Sequence, residues 1–233
     1  MALTQLRKDL HSLRQTKKIP DYQRFFKTGP GEYAEGDLFL GVSVPDQRRL
    51  AKKYRHLPWT ETVTLLKSHY HEERLLALFI LIHKFEDGDV LDRGRIYRLY
   101  LHHTRYINNW DLVDSSAHKI VGTYLQDQDR KILEKLAHSD NLWERRISII
   151  ATFHFIKQGD FGDSLKLAEI LLQDPHDLIH KAVGWMLREI GNRDIKTERA
   201  FLDRHAARMP RTMLRYAIEK FPQPLRQKYL AIK

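Results

Sequence analysis

The chain predicts an all-α fold, specifically an α-solenoid, on three observations. Apolar residues recur at helical spacing in one segment after another. No stretch sustains a period-two alternation bounded by turn residues, so strands are not expected. A helix-pair unit recurs every 35 or 36 residues, which is close to the period of stacked helical repeats.

The elements follow in order. Residues 3 to 15 read as an amphipathic helix and 22 to 27 as a short second one. Next comes Thr28-Gly29-Pro30-Gly31-Glu32-Tyr33-Ala34-Glu35-Gly36-Asp37, the strongest loop by glycine and proline content. Pro45 suits the first turn of the next helix. Helices are then predicted over 45–54, 60–68, 72–85, 90–102, 108–124, 129–137, 142–157, 164–172, 178–190, 197–208 and 211–220.

A hydrophobic fraction of 42% across 233 residues supports a real core, read as one domain, 1–233. The longest apolar run, Leu75 to Ile82, is far short of a membrane span. The opening residues lack the apolar stretch of a signal peptide. With no cysteine, disulfides, thiolate zinc sites and cysteine nucleophiles are excluded, and an intracellular location is expected. The net charge of +10 and pI near 9.7 suit a protein that meets a polyanion, either nucleic acid or an acidic membrane surface. Basic residues crowd the C-terminal end, where Arg204 to Lys233 holds eight Lys or Arg and one acid, Glu219.

The repeat aligns Arg74, Trp110, Arg146 and Lys181, with Ala77, Val113, Ile149 and Gly184 three residues on. This is the mark of HEAT-like or armadillo-like helix pairs. Position +4 then carries Leu78, Asp114, Ile150 and Trp185. Equivalent positions form rows, so one row is cationic with a single Trp and its neighbour apolar with a single Asp. If these rows line the concave side, they make a basic groove with Trp110, Asp114 and Trp185 at its middle. Residues i and i+4 share a helical face, which pairs Trp110 with Asp114 beside the apolar stripe of Leu112, Val113, Ala117, Ile120 and Val121.

Four ordered motifs resemble the AlkD-type DNA alkylation repair glycosylases over nearly the whole chain, from about residue 22 to 220. They are Gly31-Glu32-Tyr33 through Phe39-Leu40-Gly41-Val42 and Pro45; Trp110-Asp111-Leu112-Val113-Asp114; Trp143-Glu144-Arg145-Arg146; and Lys181-Ala182-Val183-Gly184-Trp185-Met186-Leu187-Arg188-Glu189. The resemblance implies excision of cationic N3- and N7-alkylated purines from duplex DNA, with the lesion held by its sugar and backbone rather than in a base pocket. It implies a catalytic trio of Asp114, Trp110 and Trp185, with Arg146 binding the backbone. Tyr33 matches a groove-facing tyrosine across a one-residue gap. Lys181, Arg188 and Arg215 are candidate phosphate contacts. The implied partner is double-stranded DNA, met by a monomer in the cytoplasm at the nucleoid, with no cofactor and no metal. The chain departs from the pattern at Asp177-Leu178, where some members carry adjacent aromatics.

These residue types suit that chemistry. A cationic purine is already a good leaving group, and breaking its glycosidic bond builds positive charge on the sugar. A fixed carboxylate opposes that charge and orients or deprotonates the attacking water. Two indole faces favour a nearby cation by about 0.5–2 kcal/mol each. Removing a preorganised electrostatic group typically costs about 10²–10³ in rate, so the acid carries the larger share.

Blander readings stand beside these. Asp114 could cap or bridge a helix, either tryptophan could be core, and Arg146 could pair with Glu144 or Asp140. Trp143 reads as core, and Asp111 as a helix-dipole partner at the first turn more than as a second acid near the site. His69, His71, Glu72 and the pair His102-His103 lack ligand spacing, and the histidines read as surface residues. His138-Ser139-Asp140 matches an iron-dependent demethylase motif, but that site needs a β-sandwich. The competing class is a non-catalytic HEAT-like module for damaged or branched DNA. A protein-binding solenoid is a third reading.

Overall fold

In a computed structural model, which describes residues 2–232, two compact helical units meet in sequence between Ser116 and Ala117. Helices α1 (Ala2–Ser12), α2 (Ile19–Phe26), α3 (Val44–Lys53), α4 (Trp59–Leu66), α5 (His71–Asp87), α6 (Val90–His102) and α7 (Trp110–Ala117) come first. A π turn, His118–Gly122, continues directly from α7. Then follow α8 (Lys131–Ala137), α9 (Leu142–Ala151), α10 (Phe153–Ile156), α11 (Gly162–Ile170), α12 (Asp177–Gly191), α13 (Ile195–His205), α14 (Arg211–Ala217) and α15 (Gln223–Leu230). Among the described residues there is no strand, only an isolated bridge between Leu38 and Tyr70. None of the described helices is long and apolar enough to cross a membrane.

Helix α5 is the centre of the first unit. It is apolar all round, with every residue from Leu75 to Ile82 buried, so it must be covered on all sides. Helices α3, α4 and α6 pack against it. Its first turn is buried too and is entirely polar: His71, Glu72, Glu73 and Arg74. Each has a partner, as burial requires. Glu72 accepts the backbone N–H groups of Leu40, Gly41 and Val42, the one from Gly41 at 2.8 Å. Glu73 pairs with Arg7 at 2.9 Å. Thus the loop before α3 and helix α1 are both tied to the start of α5.

Helix α12 plays the same part in the second unit, packing on α9, α13 and α14. Gly184 lets α14 come close, because a Cβ there would run into the Met213 carbonyl oxygen and lie 2.6 Å from Tyr216 Cβ. Gly122 does likewise for the π turn, whose backbone lies against the Ala151 carbonyl and His154.

Several expectations are corrected. The segment 108–124 is not one continuous α-helix, since the π turn interrupts it. The segment 142–157 breaks at Thr152 into α9 and α10, and α15 was not expected. The phase of the repeat shifts by one in its second half. Arg74 donates Nη1 to the Ser68 carbonyl at 3.1 Å, and Arg145 donates Nη1 to the Ser139 carbonyl at 2.9 Å. His180 Nε2 meets the Asp174 carbonyl at 2.5 Å. Each side chain reaches back six residues, so Arg145 and His180, not Arg146 and Lys181, repeat the role of Arg74. Adjacent arginines of one type hid the slip. The cationic row is also not a track of free charge. Arg74 is spent on Asp37 at 2.7 Å, and Arg145 on Asp174 at 2.6 Å.

Candidate functional site

Trp110 opens α7, with its backbone N–H capped by the Asn109 side chain at 2.8 Å. Its indole is half-buried rather than core. Phe26 stacks on it, with centroids 5.5 Å apart and planes 22° apart, and Phe25 meets it edge-on at 5.6 Å. Phe25 itself is 62% exposed. One turn further along α7, Asp114 is also half-exposed. Its charge reaches the buried Tyr100 phenol, which burial, together with that charge, pushes above its usual range despite a 2.8 Å bond to Ser116. Tyr33 is half-exposed within the 28–36 loop.

Beneath the Trp110 stack lies a buried chain of alternating charges. His71 touches Asp111 through Nε2 at 2.8 Å and Asp37 through Nδ1 at 3.4 Å, and Asp37 pairs with Arg74. Burial alone would depress the imidazolium, yet Asp111 and Asp37 together raise its pKa to about 9. Burial would likewise raise the Asp37 carboxyl, but His71 and Arg74 hold it below its ordinary value. The imidazole ring packs on Phe26 at 4.7 Å and stacks on Phe39 at 4.9 Å. The surface reading of His71 is therefore overturned, as it is buried, and Glu72 is buried beside it. Asp111 stands at the first turn of α7, as expected for a dipole partner, but its second oxygen serves His71.

In the second unit, Trp185 is half-exposed on α12. Its Nε1 donates to Glu189 at 3.2 Å, and Phe153 leans on it at 5.7 Å. Trp143 is buried, as read. Arg146 is buried as well, not at the surface, and gives Nη1 to the Leu178 carbonyl at the start of α12. Lys181 pairs with Asp177 at 2.7 Å and Arg188 pairs with Glu219, whereas Arg215 is exposed. Among the described residues no group of three or more His, Asp or Glu is arranged to hold a metal ion.

Phe25, Phe26 and His71 were missed from sequence. The one available signal was the Phe25-Phe26 doublet closing a helix, where one ring must face outward.

The pattern of the DNA alkylation repair enzymes matches residues 6–221. The chain belongs to this family. Membership makes it an enzyme of DNA alkylation repair, with DNA as the partner it acts on. A solved structure described as a predicted DNA alkylation repair enzyme from Enterococcus faecalis has the same fold, with a TM-score of 0.68 at 13% identity. The likeness covers 90% of this chain and 97% of that one. No curated protein sequence matches the chain.

Proposed function

We propose that this alkylation repair enzyme is a monofunctional glycosylase. It hydrolyses the N-glycosidic bond of cationic N3- and N7-alkylated purines in duplex DNA and leaves an abasic site. One observation carries the reading: a half-exposed carboxylate, Asp114, stands one helical turn from a half-exposed indole, Trp110, that Phe26 and Phe25 hold in place. As the base leaves with its electron pair, neutralising its own ring charge, the sugar becomes cationic. Asp114 opposes that charge and takes the proton of the water that adds to C1′. The Trp110 face adds a smaller attraction. Trp185 enters on its motif and on its own half-exposed indole. Lesions with a neutral base keep a poor leaving group and are poor substrates.

The test is release of 7-methylguanine or 3-methyladenine from methylated duplex DNA. Asp114→Asn is expected to slow release by about 10²–10³, and Trp110→Ala and Trp185→Ala by less. Equal rates for wild type and Asp114→Asn would move the catalytic role elsewhere. Binding without any release by the wild type would favour a second reading, a non-catalytic module for damaged or branched DNA. One observation speaks for that reading: Asp177, standing where some members carry an aromatic, ties up Lys181. Excision of uracil at a comparable rate would contradict selection by leaving-group charge.

A further inference from the structure

Two cations of the second unit, Lys157 and Arg193, lie over one aromatic ring, a third, Lys119, is near enough to act on Lys157, and none has a role in the chemistry above. Lys157 follows directly on α10, with Nζ 4.2 Å from the centroid of the Phe153 ring. Arg193, just beyond the end of α12, places its guanidinium carbon 6.0 Å from the same centroid. Lys119 sits in the π turn, whose His118 ring meets Phe153 at 5.4 Å. Phe153 in turn leans on Trp185.

The gathering is built in. Gly122 lets the π turn press against Ala151 and His154, bringing Lys119 toward the helix that carries Phe153 and is capped by Lys157. Local π turns are rare and frequently mark functional sites. The like charges bear on one another at Lys157. Burial, and then the charges of Lys119 and Arg193, depress the Lys157 ammonium below its ordinary value, with Glu189 opposing them. Glu189 also pairs with Arg193 at 2.9 Å, so the carboxylate that acts on Lys157 is shared with a second cation. Such crowding is relieved by an anion with several oxygens.

We propose that Lys119, Lys157 and Arg193 form a receptor for a backbone phosphodiester of DNA beside Trp185. Phe153 is the floor under Lys157 and Arg193, while the phosphate oxygens neutralise all three cations and release condensed counterions. The proposal needs DNA binding only and stands apart from the glycosidic step.

The measurement is fluorescence anisotropy of the full chain with unmodified duplex DNA across a salt series, which involves no cleavage. Lys119→Gln, Lys157→Gln and Arg193→Gln should each weaken binding about five- to tenfold at low salt. Each should also reduce the slope of log K against log salt by roughly 0.9. Lys157→Arg, which keeps the charge, should retain the wild-type slope, and Lys135→Gln on α8 provides the reference for a lost cation elsewhere. Slopes no lower than that of Lys135→Gln would overturn the assignment. A closed dumbbell duplex separates the phosphate sources: the same losses on it support an internal phosphodiester, whereas losses seen only on open 5′-phosphorylated duplex overturn it.

Discussion

His71 shows how much one side chain can hold. A buried imidazolium between two carboxylates, with rings on its faces, joins the loop at Asp37, the start of α5 and the first turn of α7. Its pKa near 9 exceeds the unperturbed 6.5, so its contribution to stability is full below pH 6.5 and is lost as pH rises through 9. His71→Phe keeps the packing but leaves Asp37 and Asp111 without their shared cation. It should lower the melting temperature at pH 6 by several degrees and shrink the difference from wild type toward pH 10, as read by thermal melts across that range. Neither its burial nor its partners could be read from sequence, because Asp37 and Asp111 lie 34 and 40 residues away. Trp110 and Asp114 were legible as a pair because their relation is local, fixed by helical spacing alone. The rings that seat Trp110, more than 80 residues earlier, were not.

At the scale of elements, most helices were legible from apolar spacing, and their ends drifted by a few residues. The breaks at the π turn and at Thr152 were not, because no proline marks either one. Gly184 was visible as the small member of the +3 series, but the reason for it is the α14 backbone. Gly184→Ala should therefore force α12 and α14 apart and cost about 1–3 kcal/mol, measurable as a lower denaturation midpoint with an unchanged slope. In Lys181 and Arg146 the phase slip had a consequence for site reading. Positions assigned to one repeated role belong to side chains that pair with Asp177 and with the Leu178 carbonyl.

For the whole molecule, the charge of +10 was legible and fits a partner that family membership makes DNA. How that charge is spent was not, since Arg7, Arg74, Arg130 and Arg145 all serve carboxylates of the chain itself. Both units carry a group that makes the fold prefer lower pH. In the second it is Glu198, whose carboxyl burial drives up to about 8 against weak opposition from Arg188. Among the described residues its Oε1 has no hydrogen-bond partner. Because the folded value lies above the ordinary 4.5, stability is full below pH 4.5 and is lost as pH rises through 8. Glu198→Gln should raise the melting temperature at pH 8 by several degrees and change it little at pH 4.5. An equal shift at both values would mean that the carboxyl is not held protonated.

The Glu72 carboxylate ends up bound by three amides that arrive from a loop thirty or more residues upstream. The leading forty-two residues are thus a clasp on the central helix, and trimming them away would strand an anion in hydrocarbon.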